Sequence, residues 1–202
     1  KHRHVDDAPF GGGAGMVLKP EPLYRAVRDV HTRTAAYEMQ RSTIIFDPAG
    51  DVFTQDTAKE LASCEQLILI CGHYEGFDAR IYDLADRLIS VGDFVLTGGE
   101  IPAMLVVDAT ARMLPGVLGD AESAPTDSFF DGLLGYPQYT RPREFEGRAV
   151  PEVLLSGNHA EISRWRREQS ILATLRHRPE LLARAELSKE DLDFLARQRE
   201  IE

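Results

Sequence analysis

Three short apolar segments of this chain are each followed by glycine, and this arrangement limits the possible folds more than any other feature. The segments are 43–46, 67–71 and 94–96. Segments that predict helices alternate with them, over 22–39, 54–63, 78–88 and 102–114. Alternating strands and helices predict an α/β domain with a mainly parallel sheet.

Glycine clusters lie where the predicted strands end, at Gly50, Gly72 with Gly76, Gly92, and Gly98 with Gly99. Parallel α/β sheets bind ligands beyond the carboxyl ends of their strands. The sequence therefore predicts one ligand site at these glycines, before any family is considered.

The glycine segments leave alternatives open when each is taken alone. Ser90 to Glu100 (SVGDFVLTGGE) predicts either two turns packed on the core or the wall of a cavity for a flat, polar ligand such as an adenosine. CGHYEG at 71–76 predicts a tight turn, with Glu75 available to a ribose or an amine. The run Gly11 to Gly15 matches no nucleotide-binding pattern, so a flexible loop and a phosphate or base contact are both compatible with it.

The chain after 118 has a different character. Residues 119–133 are acidic, small and turn-rich, and they predict a flexible interdomain linker. Residues 134–202 predict a small helical domain. Asn158 with Glu161 predicts a capping box, and Ser188 with Asp191 predicts the start of the last helix. The face predicted to be apolar in the first of these helices carries Ile162, Trp165, Leu172 and Leu175.

Charge is unevenly distributed. The net charge is −10, and it comes entirely from residues 1–133, because residues 134–202 hold 12 basic and 12 acidic side chains. Residues 141–178 include eight arginines and five glutamates. Arginine suits bidentate phosphate contacts, although its excess over lysine, 19 to 4, is also what a GC-rich genome would produce.

Other features narrow the class of protein. The chain has no apolar run long enough for a membrane span, and its start, KHRHVDDAPF, lacks methionine and a signal-peptide core. We therefore expect a fragment or a trimmed chain. Cys64 and Cys71 are expected to be reduced thiols, and a cytoplasmic location is expected. The six histidines show no metal-ligand spacing.

Two charged residues have ordinary structural interpretations on their own. Asp127, in Thr126-Asp127-Ser128, is typical of a turn or a helix cap. Arg112 lies late in a mostly apolar helix, where a structural salt bridge is the default expectation.

Six segments, taken together, resemble one family. They occur in the order VDDAPFGGGAGMVLKP, CGHYEGFDAR, SVGDFVLTGGE, PGVLGDAES, TDSFFDGLLGYPQYTRP and VPEVLLSGNHAEISRWRREQS. From residue 1 to about 180 the chain resembles the TrmD family of bacterial tRNA (guanine-N1)-methyltransferases, which belongs to the SPOUT superfamily.

The resemblance implies a fold and an assembly. The SPOUT fold contains a deep trefoil knot, which would span roughly residues 72–112 within a methyltransferase domain at 1–118. The domain at 134–202 would bind tRNA. The family acts as a homodimer whose active sites use both subunits, and no membrane is involved.

The resemblance also implies an activity: transfer of a methyl group from S-adenosylmethionine to N1 of guanosine 37 in tRNA. Asp127 would be the general base and Arg112 the substrate-side arginine, with Mg²⁺ as a candidate second cofactor. The residues implied to bind the cofactor are Phe46, Pro48, Gly50, Gly72, Glu75, Gly76, Val91, Gly92, Asp93, Phe94, Val95, Leu96, Gly98 and Gly99. Those implied to bind the substrate are Asp6, Gly12, Gly13, Ser128, Arg164, Arg166 and Arg167.

The chain departs from the family pattern in several places. By the resemblance, the family's first strand and helix would precede residue 1, so we expect this sequence to lack them. The substitutions relative to the common family residues are Phe10, Ala14, Asp47, Ala49 and His73. Two alternatives to the methyltransferase follow. One is a catalytically impaired tRNA-binding fragment of the same family, and the other is a SPOUT enzyme that acts on another RNA atom. The intact Asp127 and Arg112 disfavour the first, and the C-terminal helical domain disfavours the second.

Overall fold

The computed structural model describes residues 4–119 and 126–199, which form two compact units, one up to Val117 and one from Leu118 onward. The first unit contains the elements β1 (Asp6–Asp7), β2 (Val17–Leu18), α1 (Pro20–Arg33), β3 (Arg41–Val52), α2 (Gln55–Leu61), β4 (Gln66–Ile70), a 3-10 helix (Ala79–Leu84), β5 (Arg87–Ser90) and α3 (Glu100–Ala111). The predicted α/β class with a parallel sheet is confirmed. The knot stays a prediction.

The sheet of the first unit has the order β4-β3-β5, and both pairings of the central strand are parallel. The β-branched run Thr43-Ile44-Ile45 is fully buried in β3, as expected for a strand covered on both faces. Because β3 runs parallel to both of its neighbours, the carboxyl ends of all three strands lie at the same edge of the sheet.

Successive side chains of β3 point to opposite faces of the sheet and enter two separate cores. Ile45 packs with Val27 of α1, Ile70 and Ile81. Ile44 packs with Leu61 of α2, Ile89 and Val106 of α3. The unit is therefore a three-layer arrangement, with α1 on one face of the sheet and α2 and α3 on the other.

The predicted turn at 47–50 lies inside β3 instead of ending it. Phe46 and Asp51 both pair with Ile89, so residues 47–50 form an irregularity in the strand that projects from the sheet. The Asp47 carboxylate accepts a hydrogen bond from the Ala49 N–H at 2.8 Å and stabilises this projection.

Three of the predicted elements differ in the structure. The strand expected at 94–96 is absent, because Gly92 adopts φ 138° and its carbonyl accepts the Phe94 N–H at 2.9 Å, which turns the chain. The helix expected at 78–88 is only the 3-10 helix, since Asp86 binds both the N–H and the carbonyl of Thr43 and draws the chain into β5. Helix α1 ends at Arg33, six residues before the predicted end.

The second unit contains β6 (Glu144–Phe145), β7 (Arg148–Ala149), a 3-10 helix (Glu152–Leu155), α4 (His159–His177), a second 3-10 helix (Pro179–Ala183) and α5 (Lys189–Arg199). Its core joins Leu133, Ile171 and Leu195. Leu133 is 1% exposed, so the last residue of the predicted linker is part of this core. Residues 120–125 of the linker lie outside the described residues.

The buried face of α4 differs from the predicted one. Ser170, Ile171 and Thr174 are buried, whereas Ile162 and Trp165 are only half-buried. Polar residues are tolerated there because the Thr174 hydroxyl donates to the Ser170 carbonyl at 2.7 Å and accepts the Leu134 N–H at 2.9 Å. Both predicted helix starts are confirmed, since Asn158 accepts the Glu161 N–H and Ser188 accepts the Asp191 N–H.

A cluster of charged side chains, Arg167, Asp131 and Asp191, links α4 to α5 in the second unit. The Arg167 guanidinium contacts the Asp191 carboxylate at 2.9 Å, the Asp131 carboxylate and the Glu186 carbonyl. The Asp191 carboxylate also accepts the Ser188 N–H at 2.9 Å. Burial would raise the pKa of Asp191, but the hydrogen bonds from Arg167 and Ser188 outweigh it and lower that pKa.

A lowered pKa in the folded state means that Asp191 stabilises the second unit above its unfolded pKa of about 3.9, and that this contribution is lost as the pH falls through the lower folded value. We expect Asp191→Asn to reduce the free energy of unfolding at pH 7 by about 2 kcal/mol, the size of a hydrogen bond to a charged group. Urea unfolding followed by the fluorescence of Trp165, the single tryptophan, measures this.

The exposed Asp193 supplies the matched control, since Asp193→Asn removes the same charge from the same helix. The deficit of Asp191→Asn relative to the wild type should shrink below pH 4. An equal effect of both substitutions would show that the cluster contributes nothing specific.

Candidate functional site

The carboxyl ends of β3, β4 and β5 surround a cavity of about 140 Å³. Three loops contribute to it, namely those after Phe46, Ile70 and Ser90. The lining residues are Phe46, Asp47, Pro48, Gly72, Ile89, Ser90, Val91, Gly92, Phe94, Val95, Leu96, Gly98, Gly99 and Pro102. The convergence of glycine-rich loops at one edge of the sheet agrees with the position that the sequence predicts.

Backbone contact joins two of these loops directly. The Gly99 N–H donates to the Gly72 carbonyl at 2.9 Å, and His73 pairs with Gly98 in an antiparallel bridge. A Cβ on Gly99 would lie 2.7 Å from the Cα of Cys71 and 2.8 Å from the backbone nitrogen of Gly72. Since neither atom can move without shifting a strand end, the contact requires glycine at 99.

The third loop supplies an apolar wall. The Ser90 hydroxyl accepts the Gly92 N–H at 3.2 Å and starts a tight turn. The apolar side chains that follow are exposed, with Phe94 at 57% and Val95 at 90%. Exposed apolar groups around a concave site are typical of surfaces that bind a ligand or a partner.

Among the described residues that line the cavity, Asp47 alone is charged. Its carboxylate accepts a hydrogen bond from the Tyr82 hydroxyl, in addition to the Ala49 N–H. Burial, together with this carboxylate, raises the pKa of Tyr82 to about 12. Asp47 differs from the common family residue, and its negative charge is engaged by hydrogen bonds from the Tyr82 hydroxyl and the Ala49 N–H.

Four predicted cofactor residues lie outside the cavity lining. Gly50 packs against the backbone of Leu88 and Ile89, where a Cβ would lie 2.5 Å from the Ile89 nitrogen. Asp93 is exposed in the loop, and Glu75 and Gly76 contact another segment, described next. Conversely, the sequence missed Ile89 and Pro102 as lining residues, because a strand end and a helix start carry no glycine signal.

The glycine run 11–15 forms the loop between β1 and β2, which pair antiparallel through Asp6 and Leu18. The Glu75 N–H donates to the Met16 carbonyl at 3.0 Å, and the Leu18 N–H donates to the Gly76 carbonyl at 2.9 Å. Glu75 and Gly76 therefore connect the cavity loop to the segment that holds Asp6, Gly12 and Gly13. Gly12 and Gly13 are exposed and have positive φ.

The two residues implied in catalysis belong to different units. Arg112 caps the end of α3 in the first unit and is half-buried. Asp127 is exposed in the second unit, and its backbone carbonyl accepts the Phe130 N–H at 3.4 Å. The neighbouring Ser128 hydroxyl accepts the Gly135 N–H at 2.8 Å, which fixes this turn.

The three arginines implied in tRNA binding have different surroundings. Arg167 is engaged by Asp131 and Asp191, as described above. The Arg164 side chain is 76% exposed and lies 3.8 Å from Glu168. The Arg166 guanidinium lies over the Tyr136 ring, 4.8 Å from its centre. Arg164 and Arg166 are therefore the members of this set that present their charge to solvent.

Residues 4–119 and 126–199 contain no group of three or more histidine, cysteine, aspartate or glutamate side chains arranged to hold a metal ion. Within the same ranges no helix combines the length and the apolar character needed to cross a bilayer. Both cysteines are free thiols, as expected.

A family profile and individual relatives both identify the same protein family for this chain. The profile of the family described as tRNA (Guanine-1)-methyltransferase TrmD matches residues 1–184. A tRNA (guanine-N(1)-)-methyltransferase of Moorella thermoacetica is 59% identical over 196 residues, which cover 96% of this chain and 78% of the relative. The protein of the same name from Staphylococcus carnosus is 55% identical over 196 residues, covering 96% and 78%.

A third relative of that name, from Dictyoglomus turgidum, is 53% identical over 195 residues, which cover 96% of this chain and 77% of the relative. Agreement at this level over nearly the whole chain confirms the resemblance on which the site residues were selected. The chain belongs to the TrmD family of tRNA (guanine-N1)-methyltransferases.

Proposed function

We propose that this chain transfers a methyl group from S-adenosylmethionine to N1 of guanosine 37 in tRNA. The observation that carries the proposal is the cavity at the strand ends, closed by the contact between Gly99 and Gly72. The relatives are named for methylation of guanine N1 in tRNA, and the cavity is where a parallel sheet binds a nucleoside ligand.

The lining of the cavity fits a nucleoside. Glycines bring backbone N–H and carbonyl groups to the surface, while Pro48, Phe94 and Leu96 supply apolar walls for a flat ring. The volume of about 140 Å³ is below the roughly 300–1,000 Å³ of pockets that enclose a whole ligand. The cavity would therefore enclose the adenine part and leave the reactive end of the cofactor open to the tRNA.

The cofactor supplies an electrophilic methyl group on its sulfonium. Guanine N1 carries a proton and becomes nucleophilic only when that proton is removed. Asp127 is the general base in this proposal, and its exposure leaves the carboxylate accessible to a bound base. Arg112, or a Mg²⁺ ion, would stabilise the negative charge that develops on the guanine O6.

The proposal includes the trefoil knot over residues 72–112 and a homodimer. Helix α3 supports the dimer, because its apolar side chains remain uncovered within the chain. Ile101 is 64% exposed, Met104 71%, Leu105 45% and Val107 51%. A contiguous apolar surface of this kind on a helix is typical of an interface. A shared active site would also explain why Arg112 and Asp127 belong to different units.

In this proposal the substrate tRNA contacts both units and is methylated in the cytoplasm. Asp6, Gly12, Gly13 and Ser128 would contact the nucleotides around the target guanosine. Arg164 and Arg166 would contact phosphates, since their guanidinium groups face solvent. Arg167 would instead preserve the packing of α4 against α5.

Methyl transfer is tested directly with tRNA transcripts that carry G or A at position 37. We expect labelled methyl to pass from S-adenosylmethionine to the G37 transcript alone. A parallel reaction with EDTA measures any requirement for Mg²⁺. Transfer to both transcripts would contradict the proposed specificity, and tRNA binding without transfer would favour a catalytically impaired member of the family.

Gly99→Ala tests the cavity. The added Cβ overlaps the backbone of Cys71 and Gly72, so the two loops must separate. We expect cofactor affinity, measured by calorimetric titration, to fall about tenfold or more, as for other overpacked sites. Gly119→Ala is the matched control, because no heavy atom of the described residues lies within 4 Å of the position of its Cβ. Equal affinity in the two variants would remove Gly99 from the site.

Asp127→Ala and Asp127→Asn test the base. Each should lower the rate of methyl transfer by roughly 10²–10⁴-fold, because the carboxylate that accepts the N1 proton is gone. Cofactor affinity should stay within about twofold of the wild type, since Asp127 lies outside the cavity lining. A large loss of cofactor affinity would assign Asp127 to cofactor binding instead.

Mixing the Gly99→Ala and Asp127→Ala variants, at a cofactor concentration too low to occupy the Gly99→Ala cavity, tests the shared site. In a heterodimer of Gly99→Ala and Asp127→Ala, one site combines an intact cavity with an intact Asp127. Random exchange of subunits should then restore about a quarter of wild-type activity. If no activity returns although heterodimers form, each active site lies within one subunit.

A further inference from the structure

A second cavity, of about 350 Å³, lies wholly within the second unit. The segment 136–143 forms one side of it, and the 3-10 helix at Glu152–Leu155 and the first half of α4 form the other. The Val150 N–H donates to the Arg143 carbonyl at 2.8 Å, which extends the pairing of β6 with β7 by one residue pair. Of its lining residues, the proposed function uses Arg166 alone, as a phosphate contact.

The lining of this cavity combines aromatic rings with positive charge. Three aromatic residues and three arginines contribute to it, namely Tyr136, Tyr139, Trp165, Arg141, Arg143 and Arg166. Among the residues that the structure describes, no aspartate or glutamate lines it. In a chain of net charge −10, a concave surface with three arginines favours an anionic ligand.

The rings and the guanidinium groups are available to such a ligand. Tyr139 is 48% exposed, and its ring centre lies 6.3 Å from that of Trp165 at a tilt of 55°. Arg166 is held over Tyr136, 4.8 Å from the ring centre. Across residues 4–119 and 126–199, Arg141 and Arg143 form no ion pair, in contrast to Arg164 and Arg167.

We propose that this cavity binds one unstacked nucleotide of the tRNA. The base stacks on the exposed ring of Tyr139 beside Trp165, and Arg141 and Arg143 contact the adjoining phosphates. Aromatic rings bind splayed bases in RNA without regard to sequence, and guanidinium groups complement phosphates. The base-stacking contact goes beyond the phosphate contacts proposed for Arg164 and Arg166, and it rests on tRNA being the substrate.

A folded protein partner is a weaker match for this cavity. Binding a protein there would desolvate the guanidinium groups of Arg141, Arg143 and Arg166, and among the described residues no carboxylate lines the cavity to compensate them. An RNA strand offers flat rings beside phosphates, and the segment 136–143 carries two aromatic rings, Tyr136 and Tyr139, followed by two guanidinium groups, Arg141 and Arg143.

The test measures the affinity of the full chain for a tRNA transcript at several salt concentrations. Tyr139→Ala should weaken binding about tenfold, the loss expected for one base–aromatic stack, without changing the salt dependence. Tyr139→Phe keeps the ring and should bind like the wild type. Arg143→Ala should weaken binding and reduce the slope of log affinity against log salt by about one.

Tyr37→Ala is the matched control, because it removes an exposed tyrosine, 64% exposed, from the first unit. Melting followed by circular dichroism verifies that each variant folds, and the exposed Arg143 provides an independent readout if Tyr139→Ala is unstable. Wild-type affinity in both Tyr139→Ala and Arg143→Ala would overturn the proposal and favour a protein as the occupant of the cavity.

Methylation of the G37 transcript by the same variants separates the two proposals. If the wild type transfers methyl and Tyr139→Ala binds tRNA normally, only the nucleotide site is wrong. If the wild type transfers no methyl but its tRNA binding depends on Tyr139, the site stands and the proposed activity is wrong. Where both hold, Tyr139→Ala should raise KM for tRNA about tenfold and leave kcat unchanged.

Discussion

The burial of β3 on both faces is the constraint from which the rest of the first unit follows. Ile44 packs against α2 and α3 on one face of the sheet, and Ile45 packs against α1 on the other. Both isoleucines are fully buried. Since β3 pairs in parallel with both neighbours, the loops after Phe46, Ile70 and Ser90 emerge at one edge. The cavity exists because these loops meet there, and the Gly99–Gly72 hydrogen bond holds two of them together.

Much of this could be predicted from the sequence, because burial and glycine leave clear local signals. The apolar run before Gly72 predicts a buried strand, and the glycine clusters predict the edge of the sheet that carries the cavity. Ten of the predicted cofactor residues line it, whereas Gly50, Glu75, Gly76 and Asp93 do not. The prediction of a strand at 94–96 is wrong, because these three apolar residues follow the turn at Gly92 and have no partner strand in the part of the chain that the structure describes.

Long-range contacts between side chains carry no such signal. The family resemblance places Arg167 among the tRNA-binding arginines. In the structure its guanidinium is bound by Asp131 and Asp191, which lie 36 and 24 residues away in the sequence. The buried face of α4 includes Thr174, whose hydroxyl is satisfied by Ser170 and Leu134. The cavity around Tyr139 joins segments that a local pattern cannot connect. Together with the Asp6–Gly13 region, it would let both units contribute to tRNA recognition while the first unit binds the cofactor.

A crystal structure of the chain with S-adenosylhomocysteine, the demethylated form of the proposed cofactor, tests the central claim most directly. We expect the adenine ring in the cavity between Pro48, Gly72 and the Gly98–Gly99 turn, with backbone N–H groups directed at its edge. Gly99 should keep its hydrogen bond to Gly72. Adenine bound beside Tyr139 in the second unit, or at any site away from the three strand ends, would contradict the assignment of the cofactor cavity.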